Sequence, residues 1–140
     1  MIKDATQEDL DWVRNNPYDE KYVKQFKDFP LTGWSKTWII DDKIIMVGGV
    51  VQYWQGFGEG WFCLSKYAKN YKIKVINFLR FMIQEVMKEL SLNRLQVTVM
   101  EDLTQAMKLD EFLGFKCETP EGMKRYSPDG KTAYLFSITR

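Results

Sequence analysis

The 140-residue chain contains no histidine, and that absence decides which chemistry its other residues can do. Ser–His and Cys–His nucleophile pairs, HExxH zinc chemistry and histidine acid–base catalysis are all excluded. Carboxylates, tyrosines, lysines, backbone donors and a bound cofactor remain. The densest gathering of such groups lies between Trp61 and Leu90, WFCLSKYAKNYKIKVINFLRFMIQEVMKEL, where Lys66, Lys69, Lys72 and Lys74 are interleaved with Tyr67 and Tyr71. An apolar run precedes these lysines and a long amphipathic stretch follows them. The pattern predicts a strand, a loop and a crossover helix leading to a second buried strand at Leu95 to Met100. In such a unit the loop and the helix N-terminus make an anion-binding corner, because unpaired backbone N–H groups and the helix dipole point outward there. Cys63, on the strand, has no histidine to activate it and reads as a buried structural thiol. With Cys117 as the only other cysteine, no zinc site is expected.

The elements that must position this corner belong to one domain spanning residues 1–140. Hydrophobic residues make up 45% of the chain and charged ones 28%, the balance of a globular protein with a real core. A net charge of +1 gives no global field toward nucleic acid or a membrane surface. No apolar run approaches the ~20 residues a spanning helix needs. The opening MIKDATQEDL lacks the apolar core of a secretory signal, so a cytoplasmic protein with reduced cysteines is expected.

Taken in order, Ile2 to Ala5 reads as an edge strand, and Thr6 with Asp9 as a capping-box start. The helix that follows buries Leu10 and Val13 and stops before Pro17. Tyr22, Val23, Phe26 and Phe29 predict a second helix over Asp19 to Phe29. Three antiparallel strands follow: Thr37 to Ile40, Ile44 to Trp54 and Glu59 to Ser65. Asp41-Asp42-Lys43 and Gln55 to Gly58 are their turns, and Gly48-Gly49 marks a bulge or a close backbone approach. After the crossover helix and its strand, Asp102 with Gln105 caps a helix that Gly114 ends. Phe115 to Glu118 and Ala133 to Thr139 complete the sheet. The order is βααβββαβαββ, an α/β fold with a mixed sheet and helices on both faces.

This order resembles that of the GNAT superfamily of N-acetyltransferases over nearly the whole chain. Ile2 to Leu10, IKDATQEDL, looks like the family's usual first strand and helix start. Ala106 to Phe115, AMKLDEFLGF, is similar to its "A-x-x-x-Y-E-K-L-G-F" segment, and Leu113-Gly114-Phe115 matches the end of it. The strand–loop–helix at residues 64 to 80 occupies the place of the acetyl-coenzyme A pyrophosphate loop. The resemblance therefore implies cofactor contacts from Cys63, Leu64, Ser65, Lys69, Asn70, Tyr71, Lys72, Ile73 and Lys74. Two departures stand out. Where the family reads "Q/R-x-x-G-x-G/A", this chain reads Lys69-Asn70-Tyr71-Lys72-Ile73-Lys74, with lysines in both glycine positions, so side chains sit where phosphates would approach. The family's tyrosine general acid aligns with Asp110, which cannot donate a proton when ionised.

The function implied is transfer of an acetyl or acyl group from acyl-CoA, here acetyl-CoA, to the amine of a small molecule or protein. A base must take the amine proton, a backbone N–H near Leu64 can polarise the carbonyl, and a donor can protonate the leaving thiolate. Glu59 and Glu101 are the candidate bases; Tyr71, with Tyr67, is the candidate donor. The alternative is a GNAT-fold protein without catalysis, binding a partner through the aromatic hairpin of Tyr53, Trp54, Phe57, Trp61 and Phe62. Its small size and degenerate loop resemble GNAT-like proteins of tailed bacteriophages, which would place it in host cytoplasm or a virion. Basic and aromatic groups together also suit single-stranded nucleic acid, against which the near-zero net charge argues.

Overall fold

The computed structural model describes residues 1–21, 31 and 33–140. Its strands are β1 (Ile2–Asp4), β2 (Trp34–Ile40), β3 (Lys43–Trp54), β4 (Phe57–Leu64), β5 (Arg94–Met100), β6 (Lys116–Cys117) and β7 (Ala133–Thr139). Its helices are α1 (Gln7–Asn15), α2 (Lys72–Glu89) and α3 (Thr104–Phe112), with a 3-10 helix over Lys66–Asn70. The strands form one seven-stranded mixed sheet in the order β1-β2-β3-β4-β5-β7-β6. The α/β architecture and the chain order are those expected for every described element. The body of the expected second helix, residues 22–30, lies outside the described residues. The chain forms two compact units, Met1–Val51 with Gly60–Phe78 and Gln52–Glu59 with Leu79–Arg140.

In the first unit, the Thr6 side chain accepts from the Asp9 N–H at 3.1 Å and the Asp9 carboxylate accepts from the Thr6 N–H at 3.1 Å, closing the capping box. Asp9 also accepts from Lys3 and from the buried Thr37 hydroxyl. Burial alone would raise its pKa, but these donors hold the carboxylate below its ordinary range. The helix so started lays Leu10 and Val13 on Val47, Trp61 and Cys63. Alternation along β4 sends Trp61 and Cys63 inward together. Trp61 is therefore core, and the aromatic patch expected around Trp54 and Trp61 does not extend to it. The turn between β2 and β3 is two residues long, with Asp41 and Asp42 both at positive φ, the twist that a two-residue hairpin requires. Gly49 is a close approach: a Cβ there would lie 2.3 Å from the Trp34 carbonyl oxygen. The register shift in this ladder falls instead between Trp38 and Ile39.

In the second unit, β4 pairs parallel with β5 through Phe57–Arg94, Gly58–Leu95 and Glu59–Gln96. β5 runs antiparallel to β7 over all seven of its residues. Leu95, Val99 and Phe136 are buried. α3 closes with Gly114 at positive φ; the Gly114 N–H donates to Glu111 O and the Phe115 N–H to Asp110 O, which are the two bonds of a Schellman cap. Its start departs from expectation. The helix begins at Thr104 after Leu103 with no side-chain cap, and Asp102 instead ion-pairs with Lys131 at 2.9 Å. A long-range cation takes the carboxylate that a local cap would have used. No described helix is long and apolar enough to cross a membrane.

Candidate functional site

The corner between β4 and α2 is built from Ser65. Its side chain, fully buried, donates to Ile44 O at 2.6 Å and accepts from the Tyr67 N–H at 3.2 Å. The Ser65 carbonyl accepts from the Ala68 N–H, and Ala68 O accepts from the Tyr71 N–H. Lys66–Asn70 thereby folds into a 3-10 helix with no positive φ along it, and the Lys66 N–H ties its start to Asn16 O at 2.8 Å. An expected open loop is a closed turn. The first bond entering α2 runs from the Val75 N–H to Tyr71 O at 2.8 Å. The N–H groups of Lys72, Ile73 and Lys74 are the ones a helix's first turn leaves for an outside partner.

Lysines surround that turn. Lys66, Lys69, Lys72 and Lys74 are exposed, and Lys43 joins them from the start of β3. Among the described residues none of the five is ion-paired to a carboxylate. Four lie over tyrosine rings instead: Lys43 and Lys66 at 5.1 and 5.3 Å from the Tyr67 centroid, Lys69 at 5.2 Å from Tyr18, and Lys74 at 5.7 Å from Tyr71. Tyr67 in turn stacks on Trp12 at 5.9 Å. These contacts hold the ammonium groups near the corner while leaving their charge uncompensated. Lys43, Tyr18 and Trp12 lie far off in sequence, which is why the linear reading did not include them.

The structure collects Leu64, Ser65, Lys69, Asn70, Tyr71, Lys72, Ile73 and Lys74 around this turn. Leu64 O accepts from the Tyr18 N–H, and Ile73 is the most exposed large apolar residue of the corner at 77%. Cys63 is contiguous with them in the chain, yet its side chain is in the core, where burial pushes the thiol up to about 12 against the opposing pull of Arg14. The Tyr71 hydroxyl donates to Asp41 at 3.1 Å, and that bond raises its pKa, making it a weaker acid. The residues present fit a phosphate-bearing group by charge and by the three first-turn amides of α2. They do not offer the glycine-lined backbone cradle.

The two candidate bases are not neighbours. Glu59 pairs in register with Gln96, and Glu101 follows β5 five residues later, about 16 Å along the strand by its rise. Glu101 is exposed, its N–H bonded to Thr132 O. Glu59 is half-buried and accepts from Gln96 Nε2 at 3.0 Å, Thr98 Oγ1 at 3.4 Å and the Tyr53 hydroxyl at 3.3 Å. Asp110, on the inward stripe of α3 with Ala106, is 4% exposed; burial raises its carboxyl to about 7. Among the described residues no cluster of three or more metal-ligating side chains occurs.

No protein-family model matches the sequence, and no curated protein is detectably similar to it. Its fold is nevertheless that of the GNAT acetyltransferases. An acetyltransferase of the GNAT family from Bacillus anthracis superposes with a TM-score of 0.77 at 16% identity, over 99% of this chain and 93% of that one. A spermidine N-acetyltransferase SpeG chimera from Vibrio cholerae and hSSAT gives 0.74 at 13%, over 99% and 96%. The Salmonella typhimurium protein yncA, described as an acetyltransferase and solved with its cofactor acetyl-CoA, gives 0.70 at 9%, over 99% and 92%. At these identities the likeness is one of fold.

Proposed function

We propose that this chain is an N-acyltransferase that moves an acetyl or acyl group from acyl-CoA to an amine, gripping the phosphates of its acyl donor by charge at the Ser65–Lys74 corner. The observation that carries the reading is the first turn of α2, whose N–H groups are those a helix start leaves for an outside partner, beside lysines that among the described residues have no carboxylate partner, in a chain with an acetyltransferase fold. Coenzyme A would supply the activated thioester; Lys69, Lys72 and Lys74 with the α2 amides would hold its phosphates. In the overall transfer the amine nitrogen bonds to the thioester carbonyl carbon, the carbon–sulfur bond breaks, and one proton passes from nitrogen to sulfur. Glu59, fixed by three hydrogen bonds, takes the proton from nitrogen. Burial raises the Asp110 carboxyl to about 7, but at 4% exposure it is given no part in the transfer.

A second reading, a partner-binding protein without catalysis, is favoured by the closed 3-10 turn and by the exposure of Trp54 at 67% and Tyr53 at 52%. One measurement separates the two. Acetyl-CoA at ~100 times its dissociation constant stabilises a binder by about 2.7 kcal/mol, a rise of several degrees in Tm. Lys69→Ala and Lys72→Ala should each reduce that rise. No rise at millimolar acetyl-CoA rejects the acyltransferase and leaves the binding protein.

A further inference from the structure

The hydrogen bonds around Glu59 define a second recognition site, in the unit of Gln52–Glu59 and Leu79–Arg140. A carboxylate offers about four acceptor positions, and three are filled here: Oε1 by Gln96 and Thr98, Oε2 by Tyr53. One position, on Oε2, remains for a single N–H. The group is held from behind. Gln96 Oε1 accepts two bonds from Arg94, which fixes its amide with Nε2 toward Glu59, and Arg94 is ion-paired with Glu118 at 2.6 Å. Two carboxylates against one guanidinium leave this cluster with a net charge of about −1, suited to one cation and not to a polycation or an anion.

What lies beside that charge is aromatic. Tyr53 packs on Phe57 at 5.4 Å, and Trp54 packs on Phe57 at 4.6 Å. Phe57 and Glu59, two residues apart on β4, stand on one face about 7 Å apart. Tyr53 and Trp54 are mostly exposed, and so is Tyr126, which sits within electrostatic range of Tyr53. A groove of about 380 Å³ lined by Trp54, Gln55, Gly56, Phe57, Asn93 and Arg94 opens at two of these rings, Trp54 and Phe57, large enough for one further ring.

We propose that this face takes a single ammonium carried on an aromatic body, an arylalkylamine, with Glu59 as counter-ion and the Tyr53–Trp54–Phe57 rings against the apolar part. Gln96 and Arg94 are positioning residues. The proposal deepens the acyl-transfer reading, on which it rests for what the amine is for.

Titration calorimetry on the protein without acetyl-CoA tests it, using phenethylamine, 2-phenylethanol, butylamine and spermidine as probes. Phenethylamine should bind at least about tenfold tighter than each of the other three. Glu59→Gln should bring it to the level of 2-phenylethanol, and Trp54→Ala to that of butylamine, with circular dichroism reporting that both variants fold. Spermidine or butylamine binding as tightly as phenethylamine overturns the proposal, as does a Glu59→Gln variant that binds unchanged. Acetyl-CoA titrated separately keeps the two readings apart. Amine binding without acetyl-CoA binding rejects acyl transfer and supports this site; acetyl-CoA binding without amine binding does the reverse.

Discussion

Asp110 should make the protein less stable as pH rises from acid to neutral, against the usual direction for a carboxylate. Its side chain is 4% exposed, and burial lifts it from the ordinary 3.8 to about 7. Below pH 4 the folded and unfolded chains both hold this proton, so it adds no slope. Between pH 4 and 7 the unfolded chain releases the proton and the folded chain keeps it. The unfolded state then binds fewer protons, and unfolding free energy falls by up to ~1.4 kcal/mol per pH unit. Over roughly three units the loss reaches about 4 kcal/mol, a large part of the 5–15 kcal/mol typical of a domain. Above pH 7 both states are ionised and the loss is complete. Asp110→Asn has nearly the same shape and no charge. It should match the wild type near pH 4 and exceed it at pH 8 by up to about 4 kcal/mol, on the order of 10 °C in Tm. Urea unfolding of both proteins at pH 4.5, 6 and 8 reads the difference. Asp9, whose carboxylate is held below the ordinary range, contributes stability that is present above the unfolded pKa and lost in stronger acid. It does so in both proteins and cancels in the comparison. A wild-type minus variant difference that stays flat from pH 4.5 to 8 refutes the reasoning.

Three further outcomes are expected. Gly49→Ala should cost at least ~2 kcal/mol, because its Cβ would meet the Trp34 carbonyl at 2.3 Å; a Tm within a degree of wild type contradicts the close approach. Ser65→Ala, removing the bonds to Ile44 O and from the Tyr67 N–H at a fully buried site, should lower the urea midpoint by the equivalent of ~1–3 kcal/mol and weaken acetyl-CoA binding. In a Cys117→Ser background, Cys63 should resist a thiol reagent at pH 8 until the protein is unfolded, since burial lifts its thiol to about 12; rapid labelling of the folded protein contradicts this.

What could be read in the linear chain was whatever is decided within a few residues. Thr6 with Asp9, and Gly114 after Leu113, carry their caps in their own neighbourhood, and the structure has both. Gly48-Gly49 announced a constraint without naming it, since bulge and close approach leave the same trace and only the Trp34 carbonyl decides between them. Asp102 shows the opposite case: its local promise as a cap lost to Lys131, twenty-nine residues away. The same division runs through the candidate sites. Four lysines around Tyr67 and Tyr71 were visible as a run. That Ser65 would anchor the run as a 3-10 helix depends on Ile44 O lying within reach of the serine. Glu59 was visible as a carboxylate, but Gln96 and Thr98 become its donors only once the parallel register with β5 is set. The lysines that stand in the two glycine positions, Lys72 and Lys74, lie past the 3-10 turn, in the first turn of α2, so a phosphate held there would be held largely through charged side chains, an interaction that salt screens.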